Sequence, residues 1–287
     1  AKSAKWEMKI ATGAEILERS SDPLAAIILG YRKASKLLST YIVPLAGHPR
    51  AFTRWHTDAV TGRISSARRN LQNIPTSVRG MFIPDSGVFT DWDASQIELR
   101  CLAYLSNDPE MMEIYETEGD IHQSTADFMR IDRKVAKNVN FAMIYGGSPE
   151  TIAETAHIPS IRRARQLQEM WFNKYVEAGR WITIQQQRGL EDGYVETLFG
   201  RRIKLPGLDM ERESGIRRKA VNYPIQGSAA EIIKRAMLEC KHLPLVLQVH
   251  DELVADGDVA AEVASLPLDT ISPVRTPFNV RLTERWE

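Results

Sequence analysis

Two strand patterns that end in carboxylates, far apart along the chain, constrain the fold more than any other feature of the sequence. One strand pattern closes on Asp91 and Asp93, and two apolar strands meet at Asp251 within residues 245–255. Residues 106–190, which lie between them, are dominated by helical spacing. Long helices inserted between strands that carry carboxylates predict an α+β fold, in which an antiparallel sheet is joined to a helical subdomain.

The rest of the chain shows the same mixture of short strands and helices. The sequence predicts a strand at 87–93, helices at 14–45, 95–105 and 226–241, a polar, turn-rich segment at 51–76 and a hairpin at 193–206. Pro224 lies just before the last helix and is expected to bend the chain there, so the prediction does not include one straight helix through it.

Composition places few limits on function. The 287 residues suffice for one large domain or two smaller ones. Lys plus Arg and Asp plus Glu each number 37, and this zero net charge neither favours nor opposes a nucleic-acid partner, because local basic surface binds a polyanion. Cys101 and Cys240 lack metal-ligand spacing, which suggests packing residues in a reduced compartment. No apolar run is long enough to cross a bilayer, so we expect a soluble chain without a membrane partner.

The strand-end carboxylates suit a two-metal phosphoryl-transfer site, because Mg²⁺ prefers anionic oxygen ligands held by rigid elements. Asp91 and Asp93 fall on the same face of their strand, so strand geometry alone does not choose between them. Either group could instead cap the following helix or face water.

A helical segment between these carboxylates carries two cations and two aromatic rings at a spacing of four residues: Arg133, Lys137, Phe141 and Tyr145. Four residues advance about 400° around a helix, so these side chains form a stripe roughly 18 Å long on one side. The cations suit phosphates and the rings suit a sugar and a base. An ordinary amphipathic helix is the alternative interpretation.

Three strings of residues together resemble the signature motifs of family-A DNA polymerases: 93–100 (DASQIELR), 133–146 (RKVAKNVNFAMIYG) and 248–253 (QVHDEL). The resemblance implies a right-hand polymerase fold with a palm sheet and helical fingers, and a chain that adds dNTPs to a primer 3′ end. It implies that Asp93 and Asp251 bind two Mg²⁺ ions, for which Mn²⁺ can substitute, with the Ala94 backbone carbonyl as a further ligand. Glu252 supports this site from its edge.

The resemblance also assigns residues to the incoming dNTP and to the duplex. The dNTP set comprises Arg133 and Lys137 at the triphosphate, Phe141 near the sugar, Tyr145 near the base, and also His122, Gln96 and Glu98. Glu98 is expected to exclude a ribose 2′-hydroxyl. The primer–template set comprises Arg63, Asn70, Gln72, Asn73, Arg218, Asn222, Gln226 and His250. Ala94 departs from the Tyr usual in bacterial repair polymerases, and residues 101–103 (CLA) have a phage-replicase character.

The resemblance implies an organisation with a thumb remnant at 1–50, palm at 51–105 and 216–287, and fingers at 106–215. We expect a monomer in the cytoplasm of a bacterial or phage-infected cell, with an organellar origin left open. A proofreading or 5′-nuclease domain is not expected within this length, and an exonuclease region, a full thumb or a processivity factor are potential additional partners.

Two other functions remain open at this point. A single-subunit RNA polymerase shares the carboxylates and the cationic helix, although Glu98 argues against it. A catalytically silent primer–template binding module is the second alternative, and the presence of Asp93, Asp251, Lys137 and Arg133 argues against silence. Reverse transcription is compatible with the sequence as a secondary activity.

Overall fold

The computed structural model describes residues 13–18, 20–273 and 275–286, and the chain divides into two compact units. The first unit comprises residues 1–54 and 66–79, and the second comprises residues 55–65 and 80–287. The four-part division into thumb remnant, palm and fingers is finer than these two units and stays a prediction.

The first unit is helical in its described part. It contains α1 (Ala14–Glu18), α2 (Pro23–Lys36), a π-helical turn (Leu37–Ile42), a 3₁₀ turn (Leu71–Asn73) and α3 (Thr76–Arg79). The prediction of one helix over 14–45 was wrong in its continuity, because Asp22 is extended (ψ 123°) and caps α2 by accepting a 2.9 Å hydrogen bond from Leu24 N–H. Pro23 disfavours helical geometry at the residue before it and suits the first position of a new helix.

Two short strands, β1 (Arg54–His56) and β2 (Ser65–Ala67), span the sequence boundaries between the units. The second unit is organised around a four-stranded antiparallel sheet of β3 (Phe89–Ala94), β6 (Leu245–Val249), β7 (Glu252–Asp256) and β8 (Phe278–Thr283) in the order β6-β7-β3-β8. A separate hairpin, β4 (Tyr194–Glu196) with β5 (Arg202–Lys204), confirms the predicted hairpin at 193–206.

Helices make up most of the rest of the second unit. In chain order they are α4 (Ile97–Ser106), α5 (Pro109–Glu116), α6 (Ile121–Met129), α7 (Arg133–Ile144), α8 (Pro149–Thr155), α9 (Ile161–Lys174), α10 (Val176–Glu191), α11 (Glu213–Glu239), α12 (Ala260–Ser265) and a 3₁₀ turn (Leu268–Thr270). The α+β class with an antiparallel sheet and a helical insertion between its strands is therefore confirmed.

The longest helix, α11, is where the sequence prediction was wrong. It begins at Glu213 rather than near residue 226 and continues through Pro224. A proline inside a helix removes one hydrogen bond and crowds the preceding turn, at a cost of about 3 kcal/mol. Pro224 is buried with its neighbours Val221 and Ile225, and packing of this face against the core offsets that cost.

The core of the second unit lies between the sheet and the helices. Trp92 of β3, Leu99 of α4, Trp171 of α9 and Leu253 of β7 are at most 1% exposed and belong to one apolar cluster. Cys101 and Cys240 are buried, which confirms their packing role. Among the described residues, no helix combines the length and the apolar character needed to cross a membrane.

Candidate active site

Asp93 and Asp251, predicted from distant parts of the chain, are brought together by the pairing of β3 with β7. Asp93 lies opposite Glu252, the first residue of β7. The carbonyl of Asp251, one residue earlier, accepts a 3.1 Å hydrogen bond from the Ala94 N–H. The exposed His250 forms the β6–β7 turn with φ +58°, and its carbonyl accepts a 2.6 Å hydrogen bond from the Gln248 side chain. Strand register therefore makes the two aspartates neighbours.

Burial perturbs both carboxyl groups, and repulsion by neighbouring carboxylates adds to the effect at Asp93. Burial, followed by the negative charges of Asp251 and Asp91, raises the pKa of Asp93 to about 6. Burial also raises the pKa of Asp251 above its ordinary value. Both shifts mean that the ionised pair is poorly stabilised by the protein alone, as expected where a cation is to be bound.

Asp91 and Asp93, between which the strand pattern could not choose, differ in their partners. Asp91 is 1% exposed and its Oδ2 accepts a 3.0 Å hydrogen bond from Arg281, which lies opposite it on β8. The Arg281 guanidinium therefore compensates the Asp91 charge. Arg281 also lowers the pKa of Asp93, but by less than burial and the negative charge of Asp251 raise it.

Glu252 faces a different neighbour. It is buried, and its Oε1 accepts a 3.1 Å hydrogen bond from the indole N–H of Trp286. Across the described ranges, no group of three or more His, Cys, Asp or Glu side chains is arranged to hold a metal ion. The assignment of Asp93, Asp251 and the Ala94 backbone carbonyl as cation ligands stays a prediction.

A cleft of about 300 Å³ opens beside Asp251. Its wall includes the predicted site residues Arg63, Gln96, Glu98, Phe141, Tyr145, His250 and Asp251. Asp93 is not part of this wall; it lies on β3, beside Asp251 of the β6–β7 turn. The wall thus collects residues from the segment before the sheet, from α4 and α7, and from the β6–β7 turn.

Glu98 is the most constrained charge in the cleft wall. Only 8% of the residue is exposed, one carboxylate oxygen pairs with Arg63, and the other accepts a 3.4 Å hydrogen bond from the Tyr145 hydroxyl. Burial raises the pKa of Glu98, and the positive charge of Arg63 acts in the opposite direction. Gln96, in the left-handed conformation with φ +54°, accepts a 3.4 Å hydrogen bond from the Tyr115 hydroxyl.

The predicted cationic stripe lies on α7. Asp132 caps the helix by accepting a 2.7 Å hydrogen bond from Lys134 N–H, and the opposite face buries Ala136, Val139 and Met143. Arg133 and Lys137 are exposed. Arg133 is paired with Asp120 at 2.6 Å, and the Lys137 ammonium lies 5.9 Å from the centroid of the Phe141 ring.

His122 lies behind this stripe on α6. It is 3% exposed, its ring centroid is 5.9 Å from that of Phe141, and its Nδ1 is 3.0 Å from the side-chain nitrogen of Asn140. Burial lowers the pKa of His122 to about 4, so the ring is neutral near pH 7. The ring is therefore an uncharged group that the fold encloses almost completely.

The end of α7 packs closely on α11. Gly146 has φ +64°, and a Cβ atom there would lie 3.1 Å from the Cα atom of Arg218. This close approach and the positive φ both require glycine. Arg218 is exposed, while Asn222 and Gln226 are partly buried further along α11. A second cavity of about 570 Å³ lies between the α7–α8 turn and the Arg217–Arg218 end of α11.

The other residues predicted to contact a duplex lie in the first unit. Asn70 and Asn73 are exposed, whereas Gln72 is buried. The Asn70 side-chain oxygen accepts a 2.8 Å hydrogen bond from the Ser66 hydroxyl. Exposure favours the two asparagines over Gln72 as ligand contacts, and the roles assigned to all three residues stay predictions.

Sequence reasoning missed four residues that contact the predicted site residues or line the cleft. Arg281 compensates Asp91, Asp120 pairs with Arg133, Asn140 contacts His122, and Lys234 of α11 lines the cleft. Spacing along one helix or strand cannot reveal these residues, because each meets its partner from another element. For Arg281 alone, a strand pattern over residues 278–283 was available as a signal.

Comparisons with known proteins agree on one family. The model of DNA polymerase family A matches residues 1–283. The thermostable DNA polymerase I of Thermus aquaticus is 36% identical over 97% of this chain, and the DNA polymerase I of Chloroflexus aurantiacus is 38% identical over 96% of it. This chain spans only 38% and 33% of the lengths of those two relatives.

A solved structure shares the architecture. The POL domain of Pol1 from M. smegmatis, in complex with DNA primer-template and dNTP, superposes with a TM-score of 0.86 at 28% sequence identity. The match covers 100% of this chain and 58% of that chain. Together with the family match over residues 1–283, it shows that the chain belongs to DNA polymerase family A and has its α+β polymerase fold.

Proposed function

We propose that this chain extends a primer by template-directed, two-metal transfer of a nucleotidyl group from a dNTP. The observation that carries the proposal is the juxtaposition of Asp93 and Asp251 through the β3–β7 register, beside a cleft that a cationic helix borders. The family match and the relatives' names support the same activity.

The donor chemistry at the aspartate pair fits divalent cations. Two adjacent carboxylates whose pKa values are raised by burial, and for Asp93 also by its neighbour's charge, are stabilised by positive charge. Asp93, Asp251 and the Ala94 carbonyl would hold two Mg²⁺ ions, or Mn²⁺ in their place, and substrate oxygens and water would supply the remaining ligands. The bound ions would lower the pKa of the primer 3′-hydroxyl and neutralise charge on the leaving pyrophosphate. Glu252, held by Trp286, supports the turn rather than acting as a main ligand.

The exposed cations of α7 suit the triphosphate. Arg133 and Lys137 project from the same side of the helix, and Phe141 and Tyr145 follow towards the cleft. Arg133 exchanges Asp120 for phosphate oxygens, since both partners of that ion pair are exposed. His122 supplies one further hydrogen bond, and closure of α7 around a correctly paired base aligns the reacting groups.

Glu98 makes the cleft selective for deoxynucleotides. Its position is fixed from two sides by Arg63 and Tyr145, so it cannot easily move aside for a ribose 2′-hydroxyl. The same rigidity argues against an RNA polymerase. Gln96, which also lines the cleft, completes the contacts assigned to the dNTP.

Primer–template DNA is the proposed partner. The M. smegmatis structure holds DNA primer-template and dNTP, and this chain matches that fold over its whole length. Arg63 and His250 in the cleft, Arg218, Asn222 and Gln226 on α11, and the exposed Asn70 and Asn73 would contact phosphates, sugars and minor-groove acceptors. Such contacts are independent of base sequence, as a polymerase requires.

Primer extension with Mg²⁺ and this chain alone tests the proposal. We expect dNTP incorporation by the unsubstituted chain, and none by Asp93→Asn or Asp251→Asn, while both variants still bind primer–template DNA. Asp258→Asn, at an exposed carboxylate beyond β7, is the matched control and should extend normally. Robust extension by either site variant would remove the two-metal scheme.

Further arms of the same assay separate the alternatives. Ribonucleotides in place of dNTPs should give little product, and efficient incorporation of them would favour an RNA polymerase. An RNA template strand tests the secondary reverse-transcription activity. A chain that binds primer–template DNA without extending it would be the binding module instead.

A further inference from the structure

A closed network of hydrogen bonds holds the Asn140 side chain in the interior between α6, α7 and α9. Asn140 is 0% exposed, and its Oδ1 accepts a 2.9 Å hydrogen bond from the indole N–H of Trp171. Its Nδ2 lies 3.0 Å from His122 Nδ1 and 3.1 Å from the Thr125 hydroxyl. One amide therefore connects α7 to both neighbouring helices.

The chemistry of the partners determines which way the amide faces. An indole N–H can only donate, so the amide atom opposite Trp171 must be the oxygen. The Thr125 hydroxyl donates to the Ile121 carbonyl at 2.7 Å, so it accepts from Asn140 Nδ2 and from the Tyr175 hydroxyl at 2.8 Å. A reversed amide would place two donors face to face at Trp171 and leave buried groups unsatisfied.

This orientation determines the protonation of the His122 ring. Asn140 Nδ2 is a donor, so His122 Nδ1 must accept, and the proton of the neutral ring lies on Nε2. We infer that Asn140 is a positioning residue that holds His122 as the Nε2–H tautomer, so that the ring offers one directed, uncharged N–H to the nucleotide triphosphate. This inference rests on the proposed function for the identity of the ligand.

The surroundings of His122 support a neutral donor. The charges that act on it are Asp120, Arg133 and Lys137, and burial outweighs Asp120 in keeping the ring uncharged near pH 7. Arg133 and Lys137 already supply positive charge for an anion. At the triphosphate contact that the proposed function assigns to His122, the opposite tautomer would present the Nε2 lone pair to phosphate oxygens, and the contact would become repulsive. The tautomer therefore decides whether His122 attracts or repels the triphosphate.

The tautomer can be measured by ¹⁵N NMR of imidazole-labelled protein in the absence of nucleotide and DNA. The chain has 6 histidines, and His122→Gln identifies the signals of His122 by their loss. We expect an unprotonated Nδ1 and a protonated Nε2 at neutral pH. A protonated Nδ1, or a mixture of both tautomers, overturns the inference. The unsubstituted chain gives this result even where a variant fails to fold.

Kinetics test whether Asn140 acts through His122. Asn140→Ala should raise the dNTP KM about fivefold, the effect of one hydrogen bond, with a smaller change in kcat. In a His122→Ala background the same substitution should change KM little, because the group it positions is gone. An equal rise in KM in both backgrounds contradicts the inference.

Thr125→Val is the matched control. It removes a hydroxyl from the same buried network without removing a hydrogen bond to His122. We expect lower thermal stability with an unchanged tautomer and an unchanged dNTP KM, and a loss of the Nε2–H tautomer in this variant would contradict the assignment to Asn140. A chain that shows the tautomer but does not polymerise would refute the proposed function and leave the tautomer assignment intact.

Discussion

Replacing Arg63 with methionine leaves the buried Glu98 carboxylate without its cation and should destabilise the protein in a pH-dependent way. Removing one partner of a fully buried ion pair costs about 3–5 kcal/mol, and an exposed pair contributes at most about 1 kcal/mol. The side chains of Arg63 and Glu98 are 33% and 10% exposed, which places this pair between the two limits. We expect a loss of about 2 kcal/mol at neutral pH.

The pH dependence follows from the direction of the Glu98 shift. Burial raises the pKa of Glu98 above its ordinary 4.5, and Arg63 opposes that rise. In Arg63→Met the folded-state pKa of Glu98 rises further. Protonation of Glu98 therefore stabilises the folded variant below that pKa, and this stabilisation is lost as the pH rises through it. The destabilisation should accordingly be smaller at about pH 5 than at about pH 8.

Urea unfolding of both proteins at the two pH values measures this effect. A double variant, Arg63→Met with Glu98→Gln, is the control, because it replaces the charge that Arg63 compensates. It should recover most of the stability lost by the single variant at the higher pH. A loss that is the same at both pH values, or that persists fully in the double variant, would refute the electrostatic reasoning.

Three further predictions concern the proposed reaction. The pKa of Asp93 is raised to about 6, so protons should compete with Mn²⁺ for this carboxylate and weaken Mn²⁺ binding as the pH falls from about 8 to about 5. Titration followed by electron paramagnetic resonance measures the affinity, and an affinity independent of pH would contradict this prediction. Phe141→Tyr adds a hydroxyl beside the sugar and should relax discrimination against dideoxynucleotides in competition assays, where equal selectivity of both enzymes counts against the assignment. Asp120→Asn keeps an oxygen to cap α6 and removes the charge that competes with the nucleotide for Arg133. The dNTP KM should therefore fall by up to about fivefold. A rise in KM would show that the Arg133–Asp120 pair assists binding.

The sequence predicted the elements of the site better than their partners. Alternating and helical spacing predicted β3, β6, β7 and the α7 stripe, because those patterns depend on neighbouring residues of one element. The same alternation could not separate Asp91 from Asp93, since a strand repeats every two residues. The two aspartates differ because Arg281 hydrogen bonds to Asp91 and compensates its charge. Arg281 comes from β8, a strand that the sequence analysis did not predict.

Two other features depended on tertiary packing. Pro224 suggested a break, yet burial of its face lets α11 continue from Glu213 to Glu239. In the sequence, nothing distinguishes Asn140 from its neighbours in the helical motif. Its contacts form only because α6 places His122 beside its amide nitrogen and α9 places Trp171 beside its amide oxygen. Local patterns contain no information about which helices meet, so neither feature could be predicted from spacing.

The proposed reaction requires that Asp93 and Asp251 share a pair of divalent ions. Anomalous diffraction at the manganese edge, from crystals of the chain with a dideoxy-terminated primer–template and the next correct dNTP, measures this most directly. We expect two Mn²⁺ peaks, both within ligand distance of the two aspartates. Mn²⁺ bound elsewhere, or no peak beside Asp93, would contradict it.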